Sequence, residues 1–210
     1  MSKLIIFDLD GTLINAYPAV EETVNFTMSH FGLSPVDSAT IKRTVGWGDR
    51  HLIGTFVGKE RLEEAVMIYR AHHSEALLRG SALLPGAARL LETLEGEGHT
   101  LAVASNRPKK YSLIVTRHLN IDRFFECILC GDELERPKPY PDILIEIMRR
   151  TGYSKEDTLY VGDMAIDVET GRSAGVRTIA VTTGSSLREE LRQAGALEII
   201  ERVEEVALFV

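Results

Sequence analysis

The segment Leu4-Ile5-Ile6-Phe7-Asp8-Leu9-Asp10-Gly11-Thr12-Leu13 constrains this chain more than any other. Four consecutive apolar residues describe a strand covered on both faces, as in a parallel sheet. Two carboxylates directly after such a run resist burial unless a cation or hydrogen bonds compensate them. In extended backbone, residues i and i+2 share a face, so Asp8 and Asp10 look the same way while Leu9 looks into the protein. Asp-Gly between apolar residues is also a hairpin signal. Here, however, Thr12-Leu13-Ile14 fades into Asn15-Ala16-Tyr17-Pro18 with no alternating return strand. A buried parallel strand that aims two carboxylates at a positive partner fits these residues better.

The chain has 210 residues, enough for a substantial core as one domain with an insertion or as two small domains. Its formal net charge of −7 argues against bulk attraction to nucleic acid or an anionic membrane, so an anionic ligand needs a locally positive site. No run approaches the roughly 20 apolar residues of a membrane span. Met1-Ser2-Lys3 leads straight into the first strand rather than into a signal peptide, which predicts a cytoplasmic protein. Cys127 and Cys130 form a C-x-x-C within an apolar run. On a strand, residues three apart face opposite ways, so buried thiols are expected there rather than redox or metal chemistry.

From residue 15 to 82 no strand-like run appears, and apolar residues recur at helical spacing. One stripe comprises Val20, Val24, Met28 and Phe31, and another runs from Leu62 through Tyr69 to Leu77. Shorter helices are expected over 40–45 and 51–57, around Gly46-Trp47-Gly48. The rest alternates strand and helix: apolar runs at 100–104, 127–130, 158–161 and 177–181, a short strand near 197–200, and helices between them. This pattern predicts an α/β fold, a Rossmann-like parallel sheet with helices on both faces. The sheet domain takes residues 1–14 and 83–210, and a small helical domain is inserted over 15–82.

The polar residues fall where such a fold would use them. The runs release Asp8 and Asp10, Ser105 and Asp163 at their carboxyl ends, the edge at which open parallel sheets bind ligands. Asp8, Asp10, Asp163 and Asp167 form an all-oxygen set that suits a hard divalent cation, Mg²⁺ best, since it often shares carboxylates with a substrate phosphate. Lys138, held between Pro137 and Pro139, can neutralise further negative charge at a fixed place, or can be a solvated loop lysine. A carboxylate attacks a phosphate only with cations between them, which casts Asp8 as nucleophile. Asp10 then protonates the leaving oxygen and later takes a proton from water.

Four motifs, Asp8-Leu9-Asp10-Gly11-Thr12, Ser105, Lys138 before Pro139-Tyr140-Pro141, and Gly162-Asp163-x-x-x-Asp167, resemble in order those of the haloacid dehalogenase-like hydrolase superfamily. The stretch from Gly162 to Val168, with Ala174-Gly175-Val176, is similar to the phosphoglycolate phosphatase group. The resemblance implies Mg²⁺ bound by Asp8, the Asp10 backbone carbonyl and Asp163, with Asp167 orienting ligands. It implies that Ser105 and Asn106 bind phosphate oxygens, that Thr12 and Lys138 contact substrate, and that 15–82 is a mobile cap. Asp10 argues against carbon–halogen cleavage, and Thr12 favours hydrolysis over sugar-phosphate mutation. Asn15-Ala16 stand where phosphoglycolate phosphatases commonly have Asp-Ser. The implied activity is hydrolysis of a small phosphorylated metabolite, 2-phosphoglycolate first. Pyrophosphate, a sugar phosphate and a non-catalytic phosphate binder are the alternatives.

Within the insertion, Gly46-Trp47-Gly48-Asp49-Arg50-His51 combines flexible backbone with aromatic and cationic groups. Trp47 and Arg50 are candidates for substrate contact, or else cap core and surface respectively. Tandem His72-His73 points to a solvated face rather than a metal site, because helix neighbours diverge by ~100°. A monomer or homodimer is expected.

Overall fold

The computed structural model describes residues 2–210. The chain opens with β1 (Leu4–Phe7) and then β2 (Ile14–Asn15). Four helices follow: α1 (Tyr17–His30), α2 (Ser38–Thr44), α3 (Asp49–Phe56) and α4 (Leu62–Gly80). After β3 (Ala82–Leu83) come α5 (Ala87–Gly96), β4 (Thr100–Ser105), α6 (Lys109–His118), β5 (Phe125–Cys130) and α7 (Asp142–Thr151). The chain then continues through β6 (Thr158–Gly162), α8 (Ala165–Ala174), β7 (Arg177–Val181), α9 (Arg188–Ala194) and β8 (Glu198–Ile200).

Six strands form one sheet in the order β5-β4-β1-β6-β7-β8. All its pairings are parallel, and Leu4 of β1 stands opposite Thr100 on one side and Thr158 on the other. The apolar run of β1 is therefore central, and every side chain in it is fully buried. Ile5 and Phe7 face one layer with Leu101 and Val103, packed on α5 and α6 through Leu91, Leu94 and Val115. Leu4 and Ile6 face the other with Ala102 and Tyr160, packed on Ile143 and Ile147 of α7. This is the two-sided burial that an unalternating apolar run requires. The connections out of β1's two neighbours diverge to opposite ends of the sheet. Such a divergence opens a crevice at the carboxyl end of the central strand.

Helices α1–α4 build a separate apolar cluster around Val24, Met28, Ile53, Val66 and Tyr69. The route to it differs from expectation at one point. Asn15 and Ala82 lie in strands, because β2 and β3 pair antiparallel as a ribbon carrying the chain out and back (Ile14 opposite Leu83, Asn15 opposite Ala82). Two residues per strand are too few to show a period of two. On β5, Cys130 is buried and Cys127 half-buried, both as free thiols. Burial raises Cys130 to about 11, which leaves it unreactive. Among the described residues no helix is long and apolar enough to cross a membrane.

Candidate active site

The end of β1 sets the site. Asp8 still belongs to the sheet through its N–H, which donates to Val161 O at 2.9 Å. Gly11, at φ +82°, then turns the chain so that Leu9 O accepts from the amides of Thr12, Leu13 and Ile14. This turn buries Leu9 and leaves both aspartates at the sheet's edge. Asp163, after β6, accepts from the Thr12 hydroxyl at 3.2 Å and from the Ser185 N–H at 2.9 Å. Asp167 sits in the first turn of α8, where its Oδ2 accepts from the Met164 N–H at 3.0 Å. A carboxylate is favoured at that helix end.

Lys138 reaches in from the loop between β5 and α7 and is 4% exposed. Its ammonium donates to Asp8 Oδ1 (2.8 Å), Asp167 Oδ1 (2.6 Å) and Tyr160 Oη (3.1 Å). Those three acceptors use its three protons. Burial works against that charge, but Asp167 and Asp8 hold Lys138 well above its ordinary range. Asn106 fixes the loop, since its Oδ1 accepts from the Lys138 N–H and its Nδ2 donates to Lys138 O and to Gly46 O. The amide group expected to hold phosphate is therefore engaged in joining Lys138 to the helical segment. Ser105 Oγ accepts from the Arg107 N–H at 3.2 Å, which leaves its own proton to donate.

Asp8, Asp163 and Asp167 each offer an oxygen within 4.8 Å of the others, and all three are buried. Burial raises Asp8 to about 7 and Asp163 well above its usual range, with Lys138 opposing both shifts and Asp167 adding to them. Once ionised, three buried carboxylates exceed the charge of one ammonium, and the donors are all oxygens. A hard divalent cation fits such a set. Asp10 stands apart from it. Its carboxylate turns to Arg107, which donates from Nε to Oδ2 (2.8 Å) and from Nη2 to Oδ1 (2.5 Å).

The cavity over these groups is also lined by Leu52, Tyr69 and His73 of the helical segment. It measures about 60 Å³, room for on the order of five waters. Trp47 and Arg50 do not line it. Trp47 is 45% exposed beside a second cleft with Arg43 and Met164, while Arg50 is exposed and paired with Glu63. From the same loop Gly46, Gly48 and Asp49 face the cavity instead.

His73 corrects the expectation of a solvated histidine pair, being 3% exposed. It stacks on Tyr69 (4.7 Å between centroids), meets the edge of Tyr111 (5.0 Å) and hydrogen-bonds Thr23 at 3.1 Å. The ~100° between helix neighbours sends it inward, while His72 pairs with Glu22 on the outside at 2.8 Å. Arg107, His73, Tyr160 and Ser185 were not legible as site residues. Arg107 alone left a signal, as a cation directly behind Ser105-Asn106 at a strand end.

A family model described as haloacid dehalogenase-like hydrolase matches residues 5–181. The chain is similar to the phosphoglycolate phosphatase of Rhodospirillum rubrum, 32% identical over 212 residues covering 96% of this chain and 88% of that protein. It is also similar to phosphoglycolate phosphatase 1 of Pseudomonas aeruginosa, 27% identical over 215 residues covering 98% and 79%. A solved structure described as a predicted phosphoglycolate phosphatase from Haemophilus somnus superposes with a TM-score of 0.92 at 24% identity, covering 99% and 97%. At that identity the likeness is one of fold. Sheet order, carboxylate cluster and sequence agree, and the chain belongs to the haloacid dehalogenase-like hydrolase family.

Proposed function

We propose that this protein is a Mg²⁺-dependent phosphatase that hydrolyses a small phosphomonoester through an aspartyl-phosphate on Asp8, with 2-phosphoglycolate as first substrate. One observation carries the reading. Asp8 is buried at the end of the central strand, with Oδ1 held by Lys138 and Oδ2 taking no hydrogen bond from the described residues. Asp8 lines the cavity of about 60 Å³ together with Asp10, Ser105 and Lys138. The names of the sequence relatives supply the substrate.

Oδ2 of Asp8 attacks phosphorus, and the bond from phosphorus to the ester oxygen breaks. Asp10, protonated for this step, gives its proton to the departing oxygen. It then takes one from the water that attacks phosphorus and releases phosphate from Asp8. Lys138 and the Ser105 hydroxyl offset charge on the phosphoryl oxygens. Asp8, Asp163 and the Asp10 backbone carbonyl would hold Mg²⁺, supported by Asp167, and the ion supplies charge neutralisation between carboxylate and phosphate. Both Asp10 oxygens accept from Arg107, so proton transfer requires at least one of those bonds to be released as the ester enters. The enzyme is read as a cytoplasmic monomer or homodimer whose helical segment, 15–82, acts as a cap.

The test is turnover of 2-phosphoglycolate, sugar phosphates and pyrophosphate with Mg²⁺, beside Asp8→Asn. Fastest hydrolysis of 2-phosphoglycolate and a silent variant are expected. Faster pyrophosphate turnover would replace the substrate, and an active variant would remove the nucleophile.

A further inference from the structure

Arg107 follows Ser105 and Asn106 at the end of β4 and is 8% exposed. A guanidinium carries five N–H donors and is never neutral in a protein. Two of those donors go to Asp10. Among the described residues the next acceptor is His73 Nε2, 3.5 Å from Nη1, at the outer limit of a hydrogen bond. Arg107 thus brings to the cavity wall a buried cation with unfilled donors, a costly arrangement unless a ligand completes it.

His73 holds that cation without cancelling it. The Thr23 hydroxyl spends its single proton on Ala19 O at 2.7 Å, so it accepts from His73 Nδ1. The ring proton is then on Nδ1, and Nε2 presents a lone pair toward Nη1. Burial, and then the Arg107 charge, lower His73 to about 2, so the ring stays neutral. The wall around the pair carries Val20, Leu52, Tyr69 and Tyr111, and the Asp49 carboxylate that also lines it is taken up by two hydrogen bonds from Arg70 (2.6 and 3.1 Å).

Lys138 is committed to Asp8 and Asp167, on the phosphate side of the site. Arg107 lies on the other side, hydrogen-bonded to the carboxylate that must reach the ester oxygen. The guanidinium stands 2.8 and 2.5 Å from the two Asp10 oxygens, so a group two bonds from an ester oxygen hydrogen-bonded to Asp10 would meet it first.

We propose that Arg107, steadied by His73, is the specificity-determining subsite for a carboxylate on the leaving group. The substrate class is therefore a phosphomonoester with a carboxylate beside the ester carbon. The substrate carboxylate takes guanidinium N–H donors, and Asp10 gives up one of its two bonds and turns to the ester oxygen. A neutral leaving group leaves Asp10 paired and Arg107 incompletely bonded. This rests on the phosphatase reading above.

The experiment compares kcat/KM for 2-phosphoglycolate and for 2-hydroxyethyl phosphate, which has the same length and a neutral end. Wild-type protein is expected to prefer the carboxylate by about tenfold to a hundredfold, the range of a charged hydrogen bond. A ratio within about threefold of unity overturns the proposal without requiring any variant. In Arg107→Met the ratio should collapse toward unity, mainly through KM, and Arg107→Lys should keep more of it. A ratio undiminished in Arg107→Met, or both esters weakened equally, assigns Arg107 to structure alone and overturns the subsite. Asp8→Asn run on both esters separates the two levels. Persistent turnover there removes the phosphatase mechanism, whereas a silent Asp8→Asn beside a flat wild-type ratio removes only the Arg107 subsite.

Discussion

Gly184 stands so close to Asp163 that a Cβ on residue 184 would lie 1.7 Å from Asp163 Oδ2. The chain after β7 is thus wrapped against this carboxylate, and the next residue, Ser185, donates its N–H to the same oxygen at 2.9 Å. The loop and the carboxylate fix each other.

Gly184→Ala should therefore displace Asp163 rather than unfold the sheet. Groups that orient metal ligands typically govern affinity by 10–100-fold, and a loss of about that size in apparent Mg²⁺ affinity is expected. Titration calorimetry or the Mg²⁺ dependence of turnover reads it. Unchanged affinity would mean that Asp163 takes no part in binding the ion.

Raised carboxyl groups make stability depend on pH. Asp8 rises from 3.8 to about 7 through burial, partly opposed by Lys138, and Asp163 shifts in the same direction. In metal-free protein the folded state holds a proton that the unfolded chain has already released. Stability from Asp8 is then full below about pH 4 and is lost as pH rises through about 7. A cation reverses this by favouring the ionised form. Mg²⁺ should raise the melting temperature more at pH 8 than at pH 5. Equal increments at both would contradict the linkage.

Arg43 of α2 donates to Ser185 O (2.6 Å) and to both oxygens of Glu190 (2.9 and 2.5 Å), tying the helical segment to the sheet domain beside the site. Both side chains are substantially exposed, so the pair adds at most about 1 kcal/mol and Arg43→Ala should lower the melting temperature by no more than about 4 °C. Its larger effect is expected on substrate binding. A several-fold rise in KM with the fold intact is the expected outcome, and an unchanged KM would show that this contact does not hold the two parts together.

Legibility followed local signal. The candidate residues Asp8, Asp10, Ser105 and Asp163 stand at the ends of apolar runs, so strand recognition sufficed to place them at the carboxyl edge of the sheet. The β2–β3 ribbon left no trace because each strand has two residues. Tyr160 reads as one more core residue of β6, and its hydroxyl bond to Asp167 at 2.7 Å depends on which face of the strand meets α8. His73 and Arg107 meet across 34 positions, between a helix of the insertion and a loop of the sheet domain. Nothing in either local pattern encodes that meeting. Arg50 follows its surface alternative, exposed and paired with Glu63, and its place near Gly46 and Gly48 in sequence did not distinguish this from a substrate contact.

Asp8 is expected to carry the phosphoryl group during turnover. Rapid acid quench during turnover of a ³²P-labelled phosphomonoester, followed by peptide mapping, measures this directly. Label is expected on the peptide containing Asp8, released by hydroxylamine as an acyl phosphate is and absent in Asp8→Asn. Steady turnover with no label at Asp8 on any quench time, or undiminished turnover in Asp8→Asn, would contradict it.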